Sequence, residues 1–427
     1  MRRSHAHSPH RRPRIAVPPP SGRHERCASV SDQSSSRRPL LFVSHREHLD
    51  APIPGGIQVC TQEYCRLLAA AGFELIRHPV DPSRSFWTRL RIKAGVDTYD
   101  RHDFATMLQS VLSTLKATGC AVVAINQVSL LPLGRLLKAE LGDRVTVICL
   151  SHGSESGDVL HEVVREATHG AIRDRLAEWR LGRMVATESR LFMTAADVLL
   201  TLSETDDAIA RWQGSERTLV VPRTWAAEPL QESWPSGVIG YLGTLHHKPN
   251  WDGLLAVLTA LASLDHSGVE VRVVGGPDAV GARLAASFPS VTYVGHLPES
   301  ELLEEARRWS TVINPVFWNA RGASTKLAKA ISWGIPIVSS RVGARGYRGI
   351  TDEVIWADSP AEMARLALRL SCDAELRGRS AMRVRELAGK SPSLHELGCQ
   401  LNQALASLAE SECASAVPSG PKGALNK

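Results

Sequence analysis

The stretch TVINPVFWNARGASTKLAKAISWGIPIVS, residues 311–339, decides the fold. Thr311–Asn314 is a short apolar run closed by Pro315, which reads as a strand. A flexible loop through Arg321 and Gly322 follows, and an amphipathic stretch predicts a helix from around Ala323, with Lys326 in its first turn. Gly334-Ile335-Pro336 ends that helix, and Ile335–Ser339 is again apolar. Strand, loop, helix and strand in that order is the unit of a parallel sheet covered by helices. Cations at a helix N-terminus oppose the macrodipole. Arg321 and Lys326 therefore make electrostatic sense together if an anion such as a diphosphate is held between them.

The same alternation extends outward in both directions. Before the stretch, strands are expected at Leu40–Ser44, Glu74–Val80, Ala121–Asn126, Val145–Leu150, Val198–Leu202 and Leu219–Val221. Val145, Val147, Ile148 and Leu150 make a nearly continuous apolar run, as a strand buried on both faces must. Pro222, Pro229 and Pro235 then interrupt any helix, and this segment reads as a linker. Beyond it the expected strands are Val238–Leu242, Val269–Val274, Val291–Val294, Thr311–Asn314, Ile335–Ser339 and Glu353–Trp356. The fold class is α/β, with two doubly wound, Rossmann-like halves facing across a cleft. The expected organisation is a disordered basic arm over 1–39, a first domain over 40–225, a second over 236–390, a helix over 391–411 and a disordered tail over 412–427. No repeat of solenoid period is present.

Composition agrees with two globular domains: 427 residues, 43% hydrophobic and 22% charged. The net charge of +6 is not a nucleic-acid signature, because nine Arg in residues 1–39 against Glu25 and Asp32 leave the remaining chain at −1. That arm can bury too little apolar surface to offset its ordering entropy and reads first as a solvated tail, with contact to an anionic membrane face or an acidic partner as the second reading. The eight Cys have no Cys-x-x-Cys spacing, which argues for reduced thiols in a cytoplasmic setting and against a zinc site, with Cys60 and Cys149 as core residues. No apolar run is long enough to span a bilayer, so the expectation is a soluble chain, peripheral at most.

Three further junctions carry candidate chemistry, since ligands of open parallel sheets bind beyond the carboxyl ends of strands. After the first strand, Pro54-Gly55-Gly56 opens a helix whose free amides and small residues allow a close approach to a diphosphate or sugar. After the most apolar strand stands His152, placed to bind a hydroxyl or steady developing charge. In the second half, Gly243-Thr244-Leu245 leads through Lys248 into a helix near Asn250, an anion-ready turn with a cation to neutralise phosphate. Each has a plainer reading as well: an ordinary turn, a hydrogen-bonded strand-end histidine, a solvated loop lysine.

With these residues in place, the chain from about Leu40 to Leu408 resembles the retaining GT-B glycosyltransferases of the group 1 type, family 4. The match is most specific at Gly243 to Asn250 and at Gly322 to Ser339. The resemblance implies donor binding by the second domain, acceptor binding by the first, and no catalytic metal or cofactor. It gives His152 the donor-sugar contact, Lys326 the diphosphate, Gly322 the passing loop, and Gly55 with Gly56 the glycine loop of the acceptor side. Where many members carry two Glu eight positions apart, this chain has Arg321 and Lys329, so binding of the nucleotide ribose must differ. The implied partners are a nucleotide-sugar and a glycan or lipid-linked acceptor in surface-polysaccharide synthesis, with no nucleic acid. A nucleotide-sugar 2-epimerase and a scaffold that has lost activity stay open beside this reading. A dehydrogenase is set aside, because no Gly-x-Gly-x-x-Gly opens a helix with an acid about 20 residues on.

Overall fold

The computed structural model describes residues 37–50, 55–83, 85–93, 99, 101–166, 171–231, 233–347 and 349–415, all within one compact unit. Pro54, the arm before residue 37 and the tail after residue 415 lie outside the described residues.

Two six-stranded parallel sheets form the framework. The first contains β1 (Arg38–His45), β2 (Phe73–Val80), β3 (Val122–Asn126), β4 (Thr146–Leu150), β5 (Val198–Thr201) and β6 (Thr218–Val220), in the order β2-β1-β3-β4-β5-β6. The second contains β7 (Val238–Leu242), β8 (Glu270–Val274), β9 (Val291–Gly295), β10 (Thr311–Asn314), β11 (Ile337–Ser339) and β12 (Ile355–Trp356), in the order β12-β11-β10-β7-β8-β9. Every expected strand is present, its ends displaced by two residues at most. In each sheet the chain winds outward on one side of its first strand and then returns to the other side. A crevice is created between β1 and β3 and between β7 and β10, where ligands of such sheets bind.

Packing follows from the strand period. Leu40 and Phe42 belong to one apolar cluster, and Leu41 and Val43 to another, because successive side chains leave opposite faces of the pleat. The cluster holding Leu40 and Phe42 continues through Leu327 and Trp333 to Leu397 and Leu401, so one core joins both halves. Its last members lie on the final helix, Leu394–Ser415, which follows the second sheet in sequence but packs on the first. There Asn402 Nδ2 donates to the Ala71 carbonyl at 3.0 Å, and Arg38 Nη2 donates to Asn402 Oδ1 at 2.7 Å.

The helix Lys248–Leu261 is pressed against the segment that leaves β10. A Cβ on Gly253 would stand 1.6 Å from the Pro315 carbonyl oxygen. Ala is the better helix former by roughly 1 kcal/mol, yet here it forces the helix off its support. Gly253→Ala is expected to destabilise the protein by about 1–3 kcal/mol, read from the midpoint of chemical unfolding; a stabilised variant would refute the close approach.

Candidate functional site

A cavity of about 260 Å³ lies between the carboxyl ends of the two sheets, bordered by both domains. Gly56 and His152 come from the first domain, Thr244, Asn250, Gly322 and Lys326 from the second.

Lys326 dominates its electrostatics. The helix Thr325–Trp333 is capped by Ser324, whose Oγ accepts from the Leu327 amide at 3.4 Å. This helix starts two residues later than the sequence predicts: Gly322, at φ +66°, turns the chain before the Ser cap, leaving Lys326 but not Arg321 in its first turn. Lys326 is 9% exposed. Its Nζ donates to Asn250 Oδ1 at 2.6 Å and lies 5.4 Å from the Tyr241 ring centroid. Among the described residues it has no carboxylate partner, and burial pushes its pKa down to about 7. A desolvated amine beside first-turn amides that no helix satisfies internally is an arrangement suited to an anion.

His152 is fixed as a neutral imidazole. Burial pushes its pKa well below the usual value, and Arg223, His48 and Arg321 push the same way. Asn126 Nδ2 donates to Ser44 Oγ and Thr61 Oγ1, both at 2.9 Å, which turns Asn126 Oδ1 toward His152 Nε2 at 2.8 Å. This network assigns the proton to Nε2 and leaves Nδ1 as an acceptor. Of the two roles open in the sequence, receiving a hydroxyl hydrogen fits this tautomer, and supplying positive charge does not.

The glycines bring the two domains into backbone contact. Gly153, at φ +95°, has the Gly322 amide nitrogen 2.5 Å from where its Cβ would be. Gly322 in turn would place a Cβ 2.6 Å from the His152 carbonyl. Gly55 is the cap of the Gly56–Ala70 helix in extended conformation, while Gly56 faces Thr325 Oγ1 at 3.1 Å from its would-be Cβ.

Arg321 borders the cavity, but its guanidinium is already held by the first domain. Glu155 lies 2.6 Å from Nη1 and Asp158 3.0 Å from Nε. Burial opposes its charge, and these two carboxylates more than offset that. Lys248 does not border the cavity: it is the first residue of its helix and lies 3.8 Å from Asp252, one turn on. The expectation of a phosphate contact there is therefore corrected by the helix's direction, which brings His247 and Asn250 to the cavity instead. Lys329, in the place of the family's second Glu, is bound by Glu299 at 2.5 Å.

Several residues the sequence did not single out hold the loop before Lys326. Arg345 Nε and Nη2 donate to the Gly322 carbonyl, both at 3.2 Å. Arg223 Nε and Nη2 donate to the Ala323 carbonyl at 3.2 and 3.0 Å, and its Nη1 pairs with Glu63 of the Gly56–Ala70 helix. Tyr347 donates to the Ser324 carbonyl. From the first domain, His161 spans the cleft with one ring nitrogen 2.9 Å from the Asn319 carbonyl and the other 3.0 Å from Asp252. None of these has a local sequence signal, since each joins segments more than 20 residues apart. Among the described residues, no group of three or more His, Cys, Asp or Glu is arranged to hold a metal ion, and no helix is long and apolar enough to cross a membrane.

Similarity to known proteins lies in the sequence of the second domain and in the overall fold. The family described as "Glycosyl transferases group 1" matches residues 236–373. No curated protein sequence matches. Among solved structures, a sucrose-phosphate synthase from Thermosynechococcus elongatus is similar over 88% of this chain and 100% of its own, at 15% identity and a TM-score of 0.66. Anabaena HepE in complex with UDP and glucose is similar over 87% of this chain and 100% of its own, at 13% identity and a TM-score of 0.58. The lipopolysaccharide outer core galactosyltransferase WaaB, in its apo form, covers 86% of this chain and 99% of its own at 14% identity and a TM-score of 0.55. The second domain thus matches the group 1 glycosyl transferases in sequence, and the two-sheet architecture throughout is that of the GT-B fold.

Proposed function

We propose that the protein moves a sugar from a nucleotide-sugar to a glycan or lipid-linked acceptor, without a metal and with retention of the anomeric configuration. The observation that carries this reading is Lys326, a buried ammonium without a counter-charge, at a helix N-terminus in the cavity between the domains. The donor's diphosphate supplies the missing charge, a neighbour of the same fold being known with UDP and glucose.

In this mechanism the bond from the anomeric carbon to the diphosphate oxygen breaks while the acceptor oxygen bonds to that carbon on the same face. The proton of the acceptor hydroxyl passes to the departing phosphate oxygen. Lys326 and the amides of Thr325 and Lys326 stabilise the charge that develops there, in place before the reaction begins. His152 receives a hydroxyl of the donor sugar at Nδ1. Contact of the basic arm with an anionic membrane face belongs to the same proposal, for a lipid-linked acceptor, as does a cytoplasmic location.

The test is a panel of nucleotide-sugars, with products analysed by NMR. The expected result is one donor consumed and a product of the donor's anomeric configuration. An inverted product overturns retention, and a 2-epimerised free sugar with no transfer overturns the transferase reading.

A further inference from the structure

A second cavity, of about 210 Å³, lies within the first domain, lined by His48, Thr61, Gln62, Cys65, Arg66 and Arg77. These residues come from the helices Arg46–Leu49 and Gly56–Ala70 and from β2, beside the carboxyl end of β1. Its charge is one-sided. Arg66 and Arg77, both exposed, are the charged residues it presents, and among the described residues neither makes an ion pair or side-chain hydrogen bond; burial lowers the pKa of His48, whose Nε2 lies 3.5 Å from Glu47. Other arginines of this chain that border a cavity are engaged, as Arg321 is by Glu155 and Asp158. His48 is 7% exposed, and its Nδ1 is buried without a partner among the described residues. A buried polar atom left unpaired is costly, and its persistence points to a group that completes it.

Two guanidinium groups and an imidazole around one space match a tetrahedral oxyanion, because the planar fork of Arg donates two parallel hydrogen bonds to phosphate oxygens. The cavity is also connected to the reaction centre. Thr61 lines it and receives a hydrogen bond from Asn126, and Asn126 Oδ1 holds His152 Nε2. Thr61 and Asn126 thus link this cavity to the residue that borders the donor site.

We propose that this cavity binds a phosphate group carried by the acceptor, held by His48, Arg66 and Arg77. The phosphate site stands on the cavity itself; its assignment to the acceptor rests on the transfer reading above. A phosphorylated sugar and a lipid phosphate present the same chemistry to these residues.

The test is calorimetric titration with glucose 6-phosphate, dihexanoyl phosphatidic acid and glucose, with the wild type beside an Arg66→Ala/Arg77→Ala variant. UDP binding is measured on the same samples as a check on the fold and on the donor site. The expected result is binding of a phosphate-bearing probe but not glucose, weakened at least about tenfold in the variant, with UDP binding unchanged. Whichever phosphate probe binds assigns the acceptor as soluble or lipid-linked. Binding of neither overturns the proposal, as does binding that the variant leaves intact or that UDP displaces. If UDP binds while both phosphate probes fail, the phosphate site falls and the donor reading stands.

Discussion

Lys326→Met is expected to weaken nucleotide binding roughly ten- to hundredfold and to stabilise the protein, in the same variant. The ammonium is buried, 9% exposed, and satisfied by Asn250 Oδ1 alone among side chains of the described residues. A charge-assisted bond to a diphosphate is worth about 1.5–3 kcal/mol, a loss of roughly ten- to hundredfold in affinity. Stability moves the other way. Burial holds the folded-state pKa at about 7 against an ordinary 10.5, so between these values the unfolded chain carries a proton that the folded chain lacks. The wild type therefore gains stability as pH rises from about 7 to 10.5, and its penalty is full below 7. The gap corresponds to roughly 5 kcal/mol as an upper figure, and Met, of similar volume and no charge, removes it. The measurements are melting temperatures at pH 6 and 9 with and without nucleotide. The variant should melt higher than wild type at pH 6 and show less difference at pH 9. Nucleotide binding by the wild type should take up a proton and weaken above pH 7, because the anion favours the charged amine. A variant that melts lower at pH 6 would show that Lys326 is held by interactions other than those with Asn250 and Tyr241.

That one residue accounts for much of what was legible in the sequence. Lys326 stands between a Gly turn and a Gly-Ile-Pro stop, both local signals, so its place at the head of a helix followed from spacing alone. The central strands were legible for a related reason: a parallel strand buried on both faces must read as an apolar run, as Val147–Leu150 does with every residue 0% exposed, whereas edge strands such as Phe73–Val80 and Val291–Gly295 are only partly buried. What escaped was chemistry made by tertiary meeting. Arg321 carries a charge that suits phosphate, but Glu155 and Asp158, more than 160 positions away, occupy it. Lys248 has the right neighbours in sequence, and the direction of its helix turns it toward Asp252. The final helix is amphipathic in either domain's company. The Gly398 surface, within 2.9 Å of the Ala70 carbonyl carbon from a would-be Cβ, and the bonds of Asn402 to Ala71 and Arg38 make the first its partner.

Arg223 lay in a segment that read as a linker, and its replacement by Ala is the second large effect expected. It is 4% exposed and joins three things: the segment between the domains, the Ala323 carbonyl beside Lys326, and Glu63 on the Gly56–Ala70 helix. Truncation leaves the carbonyl unpaired and strands a carboxylate whose side chain is 18% exposed. Removing one partner of a buried pair costs about 3–5 kcal/mol, so Arg223→Ala should unfold markedly earlier in denaturant. The loop it releases carries the Ser324 cap, so nucleotide affinity should fall as well, although Arg223 is not proposed to bind the diphosphate. A double-mutant cycle with Glu63→Gln separates the two losses. If the Glu63 pair carries the stability, the double variant recovers part of it, because the stranded charge is gone. Nucleotide affinity should stay low in both, because the Ala323 carbonyl is still released. Recovery of binding along with stability would mean that the loop is held by Arg345 and Tyr347 without help, and that Arg223 serves the domain interface alone.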